Sequence, residues 1–180
     1  MKISDLLLPA DVMIDVRASN KRALLQEFAA KAAVSAGLQV DHVAALLLKR
    51  EDLGSTGIGK GVAIPHVRLP ELQRPHGLLA KLKQPIEFDA IDGEAVDIVF
   101  VLLLPDGAEN GQLGALALVA RTLRPPENLA RLRTAKTAAE LYAAVTRSEA
   151  RDGNHLQPPR LLPRNREKHH GTKVLEESLR

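Results

Sequence analysis

Seven consecutive apolar residues, Ile98-Val99-Phe100-Val101-Leu102-Leu103-Leu104, do most to limit what this chain can fold into. A strand with one wet face alternates apolar and polar residues, so an unbroken apolar run asks for cover on both faces. The same run is far too short to span a bilayer. It predicts a buried central strand over Ala95–Leu104, stopped by Pro105-Asp106-Gly107. The segments around it supply the cover. Leu25, Phe28 and Ala32 share one face of a helix expected from about Asn20 to Ala36, capped by Ser19 and closed by Gly37. Asp41 is the expected cap of a second helix, Val43 to about Arg50. Gln112–Leu123 reads as a third, broken by Pro125-Pro126, and Thr137-Ala138-Ala139-Glu140 is a capping box for a fourth that runs to about Val145. Val12–Val16 and Val62–Ile64 read as short strands. Leu78, Ala80 and Leu82 alternate with Leu79, Lys81 and Lys83, the pattern of a half-buried strand. Strands interleaved with helices make an α/β domain with helices on the faces of a sheet.

The core must be aliphatic, because aromatics are only 2% of the chain, and the absence of cysteine removes disulfides and thiolate metal sites. The first nine residues hold too short an apolar run for a signal peptide. Residues 147–180 carry eight Lys/Arg against five Asp/Glu, which is the whole formal charge of +3. The part before them is neutral, so it lacks the basic excess of a nucleic-acid surface. Pro158-Pro159 and Pro163 interrupt any apolar period there. The chain therefore divides into a domain, residues 1–146, and a basic tail, residues 147–180, expected to be disordered apart from a short helix at Val174–Leu179. His169 and His170 in the tail read as solvated residues rather than a metal site.

The chemistry concentrates between Arg50 and His66. Gly54, Gly57, Gly59 and Gly61 fall within eight positions, a density that permits positive φ and close approach of backbone N–H groups to an anion. Gly54-x-x-x-x-Gly59-Lys60 approaches a nucleotide-binding P-loop, but Gly61 stands where Ser or Thr should hold magnesium, and Val62-Ala63-Ile64-Pro65 cannot open a helix. A dinucleotide fingerprint fails on its last spacing and on preceding a strand. What remains is a loop that shapes a pocket around His66. A neutral imidazole is a nucleophile near pH 7, and its adduct with phosphate is labile enough to pass on. Such a site needs one free ring nitrogen, a partner for the other, and donors for phosphoryl oxygens. Arg50 is the candidate guanidinium clamp. On residue types alone, a structural histidine after a proline remains open. His42, in a first helical turn, reads as surface, and His76 after Pro75 as a loop residue.

The segment Lys49-Arg50-Glu51-Asp52-Leu53-Gly54-Ser55-Thr56-Gly57-Ile58-Gly59-Lys60-Gly61-Val62-Ala63-Ile64-Pro65-His66 resembles the signature of the fructose/mannitol-type enzyme IIA domain of the phosphoenolpyruvate-dependent phosphotransferase system. Phe88–Gly93, Val96–Pro105 and the stretch from Leu132-Arg133 to Leu141-Tyr142 follow the same pattern. The likeness spans roughly residues 1–146 and is nearest to the nitrogen-regulatory branch. It implies a sandwich of helices around a mixed sheet. It implies that His66 accepts a phosphoryl group from an HPr-type phosphocarrier protein and that Arg50 stabilises it. Ser55, Thr56, Gly57 and Gly59 are then the phosphoryl-binding loop. It implies no metal or nucleotide cofactor, no membrane insertion and a cytoplasmic location. Its regulated partners would be proteins such as sensor kinases or potassium-transport components. Two features depart from the family. Gln112 replaces a second histidine, and it can donate to phosphoryl oxygen but cannot titrate. Val67-Arg68 replaces Gly-Lys, keeping the charge but stiffening the backbone beside His66. The alternative is a module that keeps the fold and acts by contact alone.

Overall fold

The structure is a computed structural model that describes residues 1–107 and 109–147, without the side chains of Glu109, Asn110 and Gln112. The expected tail helix and the His169-His170 pair lie outside the described residues. In chain order the elements are α1 (Ile3–Leu6), β1 (Leu7–Val16), α2 (Lys21–Ala36), α3 (Val40–Asp52), β2 (Gly57–Gly59), β3 (Val62–Ala63), β4 (His66–Leu69), β5 (His76–Ile86), β6 (Val96–Pro105), α4 (Glu109–Leu123), α5 (Pro126–Thr134) and α6 (Ala138–Arg147).

The apolar run becomes β6, the middle of a six-stranded sheet ordered β1-β5-β6-β3-β2, with β4 on the same edge of β6 as β3. The sheet is mixed, as expected. β5 runs antiparallel to β6, β3 and β4 run parallel to it, β1 is parallel to β5, and β2 is antiparallel to β3. Successive side chains of β6 serve opposite faces. Val99, Val101 and Leu103 join a core with Leu25, Phe28 and Ala32 of α2 and Val43 and Leu47 of α3. Ile98, Phe100, Leu102 and Leu104 join a second core with Ala115 and Val119 of α4, Leu129 of α5 and Leu141 of α6. The unbroken run is thus two interleaved period-two faces, each with its own helical layer.

β3 and β4 are one line of chain. Val62 faces Ile98, Ala63 faces Val99, His66 faces Leu102 and Leu69 faces Pro105, a constant offset along β6. The ladder persists through Pro65, whose carbonyl accepts the Leu102 N–H at 2.9 Å. Proline has no N–H to donate, but the ladder asks only for its oxygen here.

Several elements differ from expectation for local reasons. Asn20, not Ser19, caps α2 by accepting the Ala23 N–H at 2.9 Å. α3 begins at Val40, so Asp41 sits in its first turn rather than at the cap. β5 is covered on both faces: Leu79 is fully buried with the α4 core, and the Lys81 ammonium bonds the Arg133 and Ala135 carbonyls at the end of α5. Pro126 does more than break α4, since it opens α5 at the position where a missing N–H is harmless. His76 is not in a loop; it opens β5, buried, with Nε2 3.3 Å from Asp11 and 3.1 Å from Ser35 Oγ. Glu140 accepts the Lys136 N–H while the Thr137 hydroxyl takes the Glu140 N–H, so the capping box is shifted by one residue on its return arm.

Phe28 is fully buried on α2, whereas Val34 on the same helix is 84% exposed. Phe28→Ala should cost about 3–5 kcal/mol in urea unfolding, and Val34→Ala should stay within about 0.5 kcal/mol.

Candidate functional site

His66 is the first residue of β4, half-buried at the sheet edge beside the end of α3. Its Nδ1 lies 2.9 Å from the Ile64 carbonyl, and its Nε2 lies 3.3 Å from Arg50 Nε. A carbonyl only accepts and a guanidinium only donates, so both contacts require the same tautomer: hydrogen on Nδ1, lone pair on Nε2. The first contact follows from the strand, because Ile64 and His66 lie on the same side of one extended segment. The second follows from α3, whose last turn carries Arg50 to the edge. Arg50 Nη1 also donates to the Gly54 carbonyl at 3.0 Å, which fixes the plane of the guanidinium.

Electrostatics support the neutral ring. Burial pushes His66 below the usual value of 6.5; the Ile64 hydrogen bond works against that, the Arg50 charge adds to it, and Glu51 opposes it. A depressed pKa means that the Nε2 lone pair stays free at neutral pH and into the acid range.

Beside His66 opens a cavity of about 640 Å³, walled by Leu46 and Leu53 of the α3 side and Leu113 and Leu116 of α4. Lys49, Arg50 and Arg68 also line it. Apolar walls lower the local dielectric, which strengthens the attraction of the three cations for an anion. β4 pairs only with β6 among the described strands. In a parallel ladder alternate residues turn their peptide groups outward, and Val67 and Pro65 face β6, so the His66 and Arg68 peptide groups face the open side. Val67 is buried against the α2–α3 core, which accounts for a β-branched residue beside the histidine.

The glycine segment is less open than its sequence suggests. Gly57–Gly59 is a strand rather than loop, and a Cβ at Gly57 would fall 2.8 Å from Ala90 Cβ. Gly59, at φ +93°, turns the chain so that the Lys60 N–H reaches Asp92 at 2.7 Å. The Ser55 hydroxyl donates to the Phe88 carbonyl at 2.6 Å and accepts the Gly57 N–H. Thr56 is buried and donates both its N–H and its hydroxyl to Glu51. These residues hold the segment leading to His66, and none of the four lines the cavity. Gln112 falls in the first turns of α4, and its side chain lies outside the described residues. Residue types did not single out Glu51 or the cavity leucines Leu46, Leu53, Leu113 and Leu116. The spacing of Glu51, one after Arg50 and five before Thr56, was the available signal. His42 is half-exposed beside Glu71 at 3.5 Å, a surface residue as expected. No described helix is long and apolar enough to cross a membrane.

Because Arg50 opposes protonation of His66, Arg50→Gln should raise the His66 titration midpoint toward 6.5. An NMR titration of the ring checks this; an unchanged or lower midpoint would remove Arg50 from the electrostatic account.

Residues 5–148 match the family described as phosphoenolpyruvate-dependent sugar phosphotransferase system, EIIA 2. The chain is 43% identical over 145 residues to a nitrogen regulatory protein of Bradyrhizobium diazoefficiens, covering 81% of this chain and 95% of that one. It is 43% identical over 134 residues to the nitrogen regulatory protein of Escherichia coli K12, covering 73% and 80%. Its fold is similar to that of nitrogen regulatory protein IIA-Ntr from Neisseria meningitidis, with TM-score 0.76, 32% identity, and 80% and 99% coverage. The mannitol IIA of Escherichia coli shares the fold at TM-score 0.62 and 15% identity, with 76% and 96% coverage. Sequence and overall fold point to one lineage, and the chain belongs to the EIIA 2 family of the phosphoenolpyruvate-dependent sugar phosphotransferase system.

Proposed function

We propose that the chain accepts a phosphoryl group on His66 Nε2 from an HPr-type phosphocarrier and regulates partner proteins by its phosphorylation state. The observation that carries this reading is the pair of contacts on one ring. The Ile64 carbonyl holds Nδ1–H, and Arg50 meets the Nε2 lone pair at the mouth of the cavity. When Nε2 attacks phosphorus, the bond from phosphorus to the donor breaks and the ring gains positive charge. The Ile64 carbonyl faces that charge. The Arg50 N–H passes from the spent lone pair to a phosphoryl oxygen, with Gly54 anchoring the guanidinium throughout. Charge-assisted bonds of this kind are about twice as strong as neutral ones.

Ser55, Thr56, Gly57 and Gly59 act in this reading by shaping the approach to His66, and Gln112 offers an amide donor where relatives in the family carry a second histidine. The apolar wall of Leu53 and Leu113, both largely exposed, suits a protein donor better than a small polar sugar. The regulated partners fit the nitrogen-regulatory branch, sensor kinases and potassium-transport components among them, and the setting is the cytoplasm. Residues 1–146 form the working domain, and the basic stretch 147–180 is dispensable for transfer. Gln112 also favours a second reading, a binding module that is never phosphorylated.

Incubation with phosphoenolpyruvate, enzyme I and the phosphocarrier should add the mass of one phosphoryl group, and His66→Ala should abolish the gain. No gain with competent donors would leave only the binding module. Arg50→Ala should fold normally and slow phosphorylation by about 100-fold, the cost of losing one preorganised donor; a wild-type rate would remove the clamp. A chain ending at residue 147 should match the full chain in rate.

A further inference from the structure

Glu51 follows the clamp arginine and is buried, with 7% exposure. A buried carboxylate is costly unless its oxygens are bonded. One oxygen accepts the Thr56 N–H at 3.0 Å and lies 3.3 Å from Lys21 Nζ, and the other accepts the Thr56 hydroxyl at 2.6 Å. Lys21 is itself held by Asp89 at 2.7 Å and by the Phe88 carbonyl at 3.2 Å.

The position of Thr56 gives these bonds a consequence. β2 and β3 are antiparallel, with Gly57 opposite Ala63, so Thr56 lies opposite Ile64. A hydrogen-bonded antiparallel pair exchanges two bonds, each residue donating to the other. Here only one is made: the Ile64 N–H donates to the Thr56 carbonyl at 3.0 Å. The return donor, the Thr56 N–H, is taken by Glu51. The Ile64 carbonyl is left without its ladder partner, and it is the carbonyl that accepts from His66 Nδ1 at 2.9 Å.

We propose that Glu51 is a positioning residue for His66: by capturing the Thr56 N–H it keeps the Ile64 carbonyl free for Nδ1–H, and so, together with Arg50 at Nε2, sets the tautomer that presents Nε2. Its negative charge also favours the positive ring formed as the nitrogen–phosphorus bond forms, in keeping with its direction of influence on His66. The consequence for transfer rests on the phosphoryl reading above, but the tautomer does not.

The test reads ring nitrogens of His66 by NMR in the unphosphorylated chain, alongside phosphorylation rates. Glu51→Ala frees the Thr56 N–H to close the ladder onto Ile64. The Nδ1–H tautomer should lose its dominance, and the rate should fall about 10- to 100-fold, the effect of a small misplacement. Glu51→Gln keeps an acceptor for the Thr56 N–H and should keep the tautomer. Glu51→Leu fills the buried volume without accepting and should behave like Glu51→Ala. A folded Glu51→Ala or Glu51→Leu with the wild-type tautomer overturns the proposal. So does a Glu51→Gln that loses it, or failure of both the Ala and Leu variants to fold, which makes the role structural. If the wild-type chain takes no phosphoryl group, the functional reading fails while the tautomer result still decides the role of Glu51.

Discussion

Everything in this domain is referenced to β6. Leu102 has His66 of β4 on one side and Gly77 of β5 on the other, while its side chain lies in the α4–α6 core. A strand paired on both edges and covered on both faces has no soft direction left. The reactive edge inherits that rigidity through a short ladder, with the Pro65 carbonyl bonded to the Leu102 N–H one residue before His66. Gly77 shows how tight the frame is, since a Cβ there would come within 2.8 Å of the Phe100 ring.

On that frame the site is made by leaving bonds unmade. β4 forms one ladder and keeps an open edge. Thr56 and Ile64 exchange one bond where a regular pair exchanges two, and the spared carbonyl orients the imidazole. Burial and Arg50 together hold the ring neutral, and the same Arg50 is placed to meet negative charge when it arrives. In the proposed transfer, a group that repels the proton and attracts phosphoryl oxygens favours both stages. The glycines contribute at one remove. Their missing side chains let the 88–97 segment press against the strands that carry His66, as at Gly57 against Ala90 and Gly61 against Asp97.

Much of this was legible in the sequence. The run Ile98–Leu104 announced a doubly covered strand because seven unbroken apolar residues stopped by Pro105-Asp106-Gly107 are short for a buried helix and leave no wet face for a strand. Helix α2 was legible from Phe28 and its neighbours and from Gly37, which does adopt the left-handed conformation at φ +67°. Arg50 was legible as a candidate clamp from its chemistry, but only the resemblance tied it to His66, since nothing in a spacing of sixteen residues says that a helix end will meet a strand start. Helix α5 was missed because Pro125-Pro126 signals a stop and a start with the same residues. The strand Gly57–Gly59 was missed because β propensity is low for glycine, and there the packing of Ala90 decides. Leu79 and Lys81 read as a wet face because local alternation cannot see helix α5 returning over β5.

The central claim is that His66 offers Nε2, with Nδ1 retained as a donor to Ile64. The most direct measurement is nitrogen-15 and phosphorus-31 NMR of the phosphorylated chain with labelled histidine. The account predicts nitrogen–phosphorus coupling at Nε2 of His66 and a proton still on Nδ1. Coupling at Nδ1, or a phosphoryl group on any other histidine, would contradict it.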